Sequence, residues 1–468
     1  MGRPLPERIC QVLERLGPTF VKVGQIVALR PDYVPLEYAR ALRVLHDHVA
    51  PFPGSEARRV VEEDLDGPLD RIFSEFDPEP FAAASLSQVH RAVLPDGRLV
   101  AVKVQRPGIA EQMERDLELL AFLARRLERR CPQALGFRPV AAIAELAEST
   151  RRELDFRIEA RTALRVRAAF AKSEQIVIPW VDRERTTARV LTMQLIEGAR
   201  PAPAPELRAA GLDPDRLIEI GAEAMVEQLF GLGLFHADPH PGNLLFLTGN
   251  RVCFLDFGMF GRLRPRERRH VAYMVWALVS GDYDAVADQL LRLARLEPGA
   301  SPDHFRDALE EVVEDWYAAD SSRGSVAQLL LRELALGARH GVIFPRELML
   351  VARALIGIDA TTSLVEPATT FSELLEPVRP KLREALSLSP QGVKEAAERH
   401  RFEYLEAALD LPDLIPELLA RLSNPPPSPA MHAPAPLRRR SRLMTGGALL
   451  AGAMAGFGAA HANQRSRS

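Results

Sequence analysis

The chain has 468 residues, of which 47% are hydrophobic and 26% are charged, and its formal net charge is -3 at pH 7. That length allows more than one lobe with a core of its own. The near-neutral balance argues against the broad basic face of a nucleic-acid-binding protein, so we expect no nucleic-acid partner. The three cysteines, Cys10, Cys131 and Cys253, have no paired spacing, which argues against a disulfide framework or a structural zinc site.

The pattern of apolar, proline and glycine residues divides the chain into consecutive segments. Residues 1–66 are predicted to form a helical N-terminal extension, and residues 67–198 mix short strands with helices. Residues 199–424 are mostly helical in pattern. Residues 425–442 combine many prolines with arginines and are predicted to be a linker. The pattern therefore predicts an α+β protein with a small mixed lobe followed by a larger helical lobe.

The last segment, residues 443–460, contains no charged residue and is rich in alanine, glycine and leucine. A helix of this length spans roughly 27 Å, slightly less than a typical hydrocarbon core. More arginines precede it than follow it, which predicts a single C-terminal anchor with the body on the cytoplasmic side. Gly452 and Gly456 form a GxxxG pair suited to close helix contact. The alternative is a flexible tail, because so many glycines weaken a helix.

The mixed segment contains a hairpin signal and a lysine that needs a partner. Residues 88–94 and 98–105 are predicted strands joined by a Pro-Asp-Gly turn, and a helix is predicted from Ile109 to Arg130. Lys103 lies in the second strand, where a buried ammonium is costly unless it meets negative charge. Nucleotide phosphates and a helix carboxylate provide that charge in kinase-like sites, and we assign Glu159 as the carboxylate. A lysine that reaches solvent is the alternative.

Two acidic loops supply the remaining chemistry of a Mg-nucleotide site. Asp238 is followed five residues later by Asn243, and Asp256 begins an Asp-Phe-Gly triplet after a short apolar strand. Phosphoryl transfer needs an acidic group beside the nucleophile and oxygen ligands for magnesium. We therefore predict that Asp238 is catalytic and that Asn243 and Asp256 hold Mg²⁺ through hard oxygens. The set predicts a divergent protein-kinase-like, two-lobed fold.

A transition-metal site at His236, Asp238 and His240 is a competing interpretation. Histidines four residues apart can share a helix face, but Pro239 and Pro241 break a helix here. We instead expect His236 to pack beneath the loop and support it.

Two features depart from ordinary protein kinases. The turn that should cover the phosphates is rich in alanine rather than glycine, and Ala83, Ala84 and Ser85 are its predicted nucleotide contacts. Alanine resists the positive φ that glycine allows, so we expect a stiffer turn. Soon after Asp-Phe-Gly the chain reaches Pro265, a predicted first helical position, and no Ala-Pro-Glu follows. The short segment argues against a peptide substrate.

The motif set resembles the UbiB/AarF/ADCK family of atypical kinase-like proteins over roughly residues 10–425. The resemblance rests on the following residues, in chain order: Lys22-Val23-Gly24-Gln25 (KxGQ), Ala82-Ala83-Ala84-Ser85, Val100-Ala101-Val102-Lys103, Glu153-Leu154-Asp155 (ExD), His236 to Asn243, and Asp256-Phe257-Gly258. In that family the KxGQ helix folds across the nucleotide cleft. The resemblance therefore implies that Lys22 and Gln25 cap the site and meet Glu153 and Asp155.

The resemblance also implies a function and partners. It implies ATP or ADP with Mg²⁺ as cofactors, and an atypical kinase or ATPase that supports ubiquinone or other isoprenoid-quinone biosynthesis, or lipid homeostasis. It places the chain at the cytoplasmic face of the inner membrane, in contact with membrane lipids and quinone-biosynthesis enzymes. An oligomer through the N-terminal helices or the GxxxG tail is a further expectation. Two alternatives remain open: a nucleotide-sensing pseudokinase scaffold, and a small-molecule phosphotransferase similar to aminoglycoside or choline kinases.

Overall fold

The computed structural model describes residues 4–28, 36–42, 50–130, 139–280, 282–318 and 326–367. The predicted linker, the predicted membrane helix with its GxxxG pair, and the last part of the predicted larger lobe lie outside these residues. The described residues form an α+β, two-lobed fold of the kinase-like type, as predicted.

Within the described residues, five short helices precede the first strand. They are α1 (Leu5–Leu16), α2 (Pro18–Ala28), α3 (Leu36–Leu42), α4 (Gly54–Asp64) and α5 (Leu69–Ile72). The apolar faces of α1 and α2 form one core cluster that includes Leu117, from a later helix of the smaller lobe. Thr19 on α2 donates a 2.6 Å hydrogen bond to Asp116 on that later helix. The predicted helical extension is thus packed on the smaller lobe.

The smaller lobe is built on an antiparallel sheet. Its elements are β1 (Glu75–Phe76), β2 (Ala82–Ala83), β3 (Ser87–Val93), β4 (Leu99–Gln105), α6 (Ile109–Arg130), α7 (Pro139–Glu153), α8 (Phe156–Ala169), β5 (Ile176–Val177) and β6 (Val190–Gln194). The sheet order is β1-β3-β4-β6, with β2 added beside β3. Lys103 lies between Val89 on β3 and Leu191 on β6, so its strand is central.

The larger lobe is mostly helical. Its elements are α9 (Ala204–Ala209), α10 (Pro214–Val226), a π-helix (Glu227–Leu232), β7 (Leu234–His236), a 3₁₀ turn (Pro241–Asn243), β8 (Leu244–Leu247), β9 (Arg251–Phe254), β10 (Phe260–Arg262), α11 (Pro265–Ser280), α12 (Tyr283–Leu293), β11 (Arg295–Leu296), α13 (Pro302–Ala318), α14 (Val326–Arg339), β12 (Val342–Ile343) and α15 (Arg346–Val365). Strand β5 joins β9 and β8 in a second sheet, and β7 pairs with β10.

The predicted hairpin, the predicted helix α6 and the predicted helix start at Pro265 are confirmed. Strands β3 and β4 form the predicted hairpin, with Gly97 at a φ of 87° in its turn. Helix α6 runs from Ile109 to Arg130 as predicted, and α11 begins at Pro265. The proposed segment boundaries at 66/67 and 198/199 stay predictions.

Helix α15 is long and apolar enough to cross a membrane by length and composition, and half of its apolar stretch is buried inside the protein. Gly357 explains part of that packing, because a Cβ at this position would lie 2.8 Å from the ring of Pro239. Thr361 also donates a 3.2 Å hydrogen bond to the carbonyl of Pro239. These contacts make α15 a core helix that lies against the loop containing Asp238.

The core of the larger lobe contains an unpaired carboxyl group. Glu333 on α14 is 3% exposed, and its Oε1 has no hydrogen-bond partner within the described part of the chain. Burial raises the pKa of Glu333 to about 8. Because an unfolded glutamate titrates at about 4.3, the native state keeps a proton that the unfolded state has lost between these two values. The contribution of Glu333 to the free energy of unfolding therefore falls as the pH rises from about 4.3 to about 8, and it is constant above that.

We expect Glu333→Gln to remove this slope and to raise the free energy of unfolding at pH 8 by a few kcal/mol. Denaturant unfolding of both proteins across pH 5 to 8 checks the prediction. Glu310→Gln, on the exposed side of α13, is the matched control and should follow the wild-type curve. A constant difference between Glu333→Gln and the wild-type chain at all pH values would contradict the explanation.

Candidate functional site

The centre of the cleft is the predicted ion pair between β4 and α8. The ammonium of Lys103 lies 3.0 and 2.9 Å from the two carboxylate oxygens of Glu159. The lysine side chain is 18% exposed and the glutamate 6%, and the ring of Phe156 lies 5.2 Å from the ammonium. The alternative of a lysine that reaches solvent is therefore wrong for this structure, because the ammonium of Lys103 turns inward to a carboxylate.

The neighbourhood of Lys103 keeps its ammonium charged. Burial alone would lower the pKa of Lys103, but the carboxylates of Asp256 and Glu159 raise it above its usual range. The start of α8 is held in place as well, because Gln105 on β4 donates a 2.8 Å hydrogen bond to the carbonyl of Leu154. A fixed cation in a partly dry cleft is suited to phosphate oxygens.

Asp256 lies opposite this lysine and is held in an unusual backbone conformation. Its φ is 55°, in the left-handed region that few non-glycine residues adopt. Its Oδ1 accepts a 2.9 Å hydrogen bond from the backbone N–H of Gly258, which stabilises the turn. Burial alone would raise the pKa of Asp256, but the ammonium of Lys103, the N–H of Gly258 and smaller electrostatic effects together lower it to about 2. Strain of this kind concentrates at functional sites.

The loop containing Asp238 is supported by His236, as predicted. The backbone N–H of Asp238 donates to Nδ1 of His236 at 3.1 Å, so the ring proton is on Nε2, which donates to the carbonyl of Leu255 at 3.0 Å. Burial lowers the pKa of His236, and the ring stays neutral. Both ring nitrogens are therefore engaged. This engagement argues against the transition-metal interpretation, and within the described ranges no group of three metal-ligating side chains of the His, Cys, Asp or Glu type is found.

Asn243 and Asp256 fit the requirements of a magnesium site. Nδ2 of Asn243 donates to the carbonyl of Asp238 at 3.1 Å, so the amide oxygen is the end left for a ligand. The backbone N–H of Leu255 donates to the carbonyl of Asn243 at 2.8 Å, which ties the two acidic loops together. An ionised carboxylate and an amide oxygen are hard ligands of the kind that Mg²⁺ prefers with phosphate and water.

Asp238 has a partner that the sequence reasoning missed. Arg353 on α15 donates a 2.8 Å hydrogen bond to Oδ2 of Asp238, and the two side chains are 17% and 25% exposed. His240 lies farther from the same oxygen, at 3.9 Å. A signal for Arg353 was present, because an arginine in the middle of an apolar helix needs a charged partner.

A second missed residue is Gln228 in the π-helix. Its side chain is 1% exposed and its Oε1 accepts a 2.8 Å hydrogen bond from the backbone N–H of His236. Short π-helical turns are frequent at functional sites, and this one positions the start of the Asp238 loop.

One contact implied for the cap over the cleft is present, and the cap itself stays a prediction. Lys22 on α2 forms a 2.5 Å ion pair with Glu153 at the end of α7, and the two side chains are 10% and 13% exposed. The charge of Lys22 also lowers the pKa of Asp256, although its effect is smaller than that of Lys103. Gln25 lies one helical turn after Lys22 on the same helix.

Asp155 has a structural role besides the implied one, which stays a prediction. Asp155 is the N-cap of α8, where its carboxylate accepts the backbone N–H of Arg157 at 3.1 Å. The same carboxylate pairs with the Arg157 guanidinium at 2.8 Å. It thus starts the helix that carries Glu159. An aspartate directly before a helical pattern is the usual signal of such a cap.

The alanine-rich turn is a short, hydrogen-bonded connection between β2 and β3. Ala83 is exposed and pairs with Gln88, the N–H of Ala84 donates to the carbonyl of Ser87 at 2.8 Å, and Ser85 is 2% exposed. The turn therefore presents backbone and methyl groups rather than the mobile glycines of an ordinary phosphate-covering loop.

We expect Ala83→Gly to change the ratio of ATP affinity to ADP affinity, because a more mobile turn adapts differently to a third phosphate. Titration calorimetry with both nucleotides checks this prediction. Ala171→Gly, at an exposed position after α8, is the control and should leave both affinities unchanged. The same ratio of ATP affinity to ADP affinity in Ala83→Gly and in the wild-type chain would show that the stiffness of the turn does not affect nucleotide preference.

Comparison with known proteins agrees with the geometry. The family model for the ABC1 atypical kinase-like domain matches residues 44–290. A Marinobacter nauticus protein named probable protein kinase UbiB is 32% identical over 432 residues, which are 91% of this chain and 78% of that protein. A Xylella fastidiosa protein of the same name is 31% identical over 414 residues, which are 87% of this chain and 75% of that protein.

A solved structure of Rv3197 with erythromycin, from Mycobacterium tuberculosis, is 24% identical with a TM-score of 0.48, and the match covers 74% of this chain and 91% of that one. The family model covers more than half of the chain, and the UbiB-named relatives span most of it. The chain therefore belongs to the ABC1 atypical kinase-like family, among its UbiB-type members.

Proposed function

We propose that this chain is an atypical kinase or ATPase that binds Mg-nucleotide and supports ubiquinone or another isoprenoid-quinone pathway at the cytoplasmic face of the inner membrane. The observation that carries the proposal is the Lys103–Glu159 pair, with the ionised Asp256 near it. These groups supply charge for phosphates and a hard oxygen for Mg²⁺, and Asp238 lies on the loop tied to that of Asp256. The pathway is supported only by the UbiB names of the relatives.

Each residue has a part in the proposed chemistry. Lys103 binds phosphate oxygens, and Glu159 orients that lysine. Asn243 and Asp256 would hold Mg²⁺, which neutralises charge on the phosphates when bound. Asp238 positions the attacking hydroxyl group or water and receives its proton. Lys22, paired with Glu153, would close the side of the cleft where a peptide would enter an ordinary kinase, as the family resemblance implies, and such a closure favours water or a small lipid-like acceptor.

Two measurements test the proposal. Purified protein with Mg²⁺ should release phosphate from ATP or transfer it to a component of membrane extracts, and radiolabelled γ-phosphate identifies which. Quinone levels should fall in a strain that lacks the chain and return with the wild-type gene but not with an Asp238→Asn gene. Unchanged quinone in the deletion strain would contradict the pathway while leaving the turnover result valid.

A nucleotide-sensing scaffold is the second candidate. It is favoured by the Asp238–Arg353 contact, because that contact occupies one oxygen of the carboxylate expected to meet the nucleophile. A scaffold would bind nucleotide without turnover, and its binding would change the exchange of amide hydrogens in α2 and α7. Release of phosphate that depends on Asp238 would exclude it.

A further inference from the structure

A basic surface lies on the larger lobe where the chain leaves the Asp256 loop. It consists of these exposed side chains: Arg262, Arg264, Arg266, Arg269, Leu232 and Tyr273. We call it the α11 basic surface, because α11 carries its centre. Nothing in the proposed phosphoryl-transfer chemistry uses these residues.

Backbone geometry places the arginines on one side of the protein. At the end of β10 the alternation of an extended chain buries Leu263 and exposes Arg262 and Arg264. On α11, Arg266, Arg269 and Tyr273 are spaced i, i+3 and i+7 and share one helical face. The opposite face of α11 is packed into the lobe through the buried residues Val271, Met274, Val275 and Leu278.

The sequence around this surface carries a strong positive charge. Residues 262–269 contain five arginines and one glutamate, giving a net charge of +4 within a chain whose total is -3. The glutamate, Glu267, accepts the backbone N–H of Arg264 at 2.8 Å, at the N-terminus of α11. As far as the structure describes the chain, Arg262, Arg264, Arg266 and Arg269 form no ion pair.

Apolar side chains border the arginines. Leu232 is 37% exposed and Tyr273 is 38% exposed. Leu232 is fixed beside the arginines, because the N–H of Leu263 donates to the carbonyl of Gly233 at 2.9 Å. Arginines with an exposed leucine and an amphipathic tyrosine are typical of a surface that meets both the phosphates and the upper acyl region of a bilayer.

We propose that the α11 basic surface docks on an anionic phospholipid bilayer. The arginines would pair with headgroup phosphates, and Leu232 and Tyr273 would enter the interface. An acidic protein segment would explain the charge but not the bordering apolar side chains. The contact is additional to any anchor formed by the C-terminal segment.

The position of the surface gives the contact a consequence for the cleft, which rests on the proposed function. Strand β10 follows the Asp256 loop and pairs with β7, which leads directly into the Asp238 loop. Docking through the end of β10 and the start of α11 therefore brings both acidic loops close to the lipid surface. A phosphoryl acceptor dissolved in the membrane would then reach Asp238 without leaving the membrane–water interface.

The test compares binding of the full chain to vesicles of phosphatidylcholine alone and of phosphatidylcholine mixed with phosphatidylglycerol. The gain in affinity from the anionic lipid isolates the electrostatic contact from any anchor. One basic residue near such a surface contributes about 1 kcal/mol, or about fivefold, so Arg266→Gln/Arg269→Gln should reduce the gain about 25-fold.

The matched control is Arg126→Gln/Arg129→Gln on α6. It removes the same charge from a second exposed surface, on which arginines lie beside the 45% exposed Phe122. The control should lose less than about twofold of the gain, because it leaves every residue of the α11 basic surface unchanged. Equal losses in the two variants would indicate general attraction to anionic lipid and would overturn the assignment.

A second readout does not depend on removing charge. Brominated lipid should quench the added fluorescence of a Tyr273→Trp variant in anionic vesicles and should leave that of a Phe122→Trp variant unchanged. Absence of quenching at position 273, with the protein bound, would also overturn the proposal. Neither readout uses ATP, so failure here and failure of phosphate release are separate results.

Discussion

Replacing Asp256 with asparagine should lower Mg²⁺-dependent ATP turnover by about three orders of magnitude, because several kcal/mol of charge stabilisation is lost with the metal ligand. The substitution keeps the shape of the side chain, and an asparagine tolerates the φ of 55° as well as an aspartate does. It removes only the negative charge opposite Lys103. Initial rates of phosphate release at saturating ATP, over a range of Mg²⁺ concentrations, check the prediction.

The control for this experiment is Asp213→Asn, which makes the same change at the N-cap of α10. Asparagine caps a helix as well as aspartate, so stability and turnover should be unchanged. If Asp256→Asn kept more than a tenth of the wild-type rate at every Mg²⁺ concentration, the assignment of Asp256 as the metal ligand would be wrong.

Replacing Arg353 with alanine should lower turnover by about a hundredfold while changing nucleotide affinity by less than about threefold. Arg353 contacts Oδ2 of Asp238 and fixes which oxygen of that carboxylate faces the acceptor. A misplaced catalytic group commonly costs about two orders of magnitude, even when substrate binding is intact. The expected effect is therefore on kcat rather than on the affinity measured by calorimetry.

Two further variants distinguish positioning from support of the fold. Arg353→Lys should recover part of the rate, because it keeps the charge but not the planar fork. Added guanidinium or methylguanidinium should raise the rate of Arg353→Ala and not that of the wild-type chain. Arg346→Ala, on the same helix at a 3.7 Å contact with Glu145, should stay within about twofold. A full rate in Arg353→Ala would contradict the role.

The sequence predicted the parts of the site whose chemistry is local or has few possible partners. The hairpin around Gly97 follows from turn chemistry, and a lysine on its central strand requires a carboxylate from a nearby helix. Glu159 was therefore identifiable from the sequence. The support that His236 gives to the Asp238 loop was also predictable, because the flanking prolines exclude a helix that could hold a metal.

The long-range contacts of the site could not be predicted from the sequence. Arg353 and Asp238 are 115 residues apart, and no local pattern links α15 with a loop so far upstream. The apolar character of α15 resembles a membrane helix, and only its packing against Pro239 identifies it as a core element. The cap that Asp155 forms on α8 was readable from the sequence, because its partner Arg157 is local and an aspartate directly before a helical pattern is a usual cap.

A calorimetric titration of the full chain with ATP and with ADP, with and without Mg²⁺, tests the Mg-nucleotide site directly. We expect one binding site per chain, an affinity that rises with Mg²⁺, and loss of that Mg²⁺ dependence in Asp256→Asn. We also expect much weaker binding in Lys103→Met, since the phosphates then lose their cation. Absence of nucleotide binding by the folded wild-type chain, or binding that Lys103→Met leaves unchanged, would show that the cleft is not a Mg-nucleotide site.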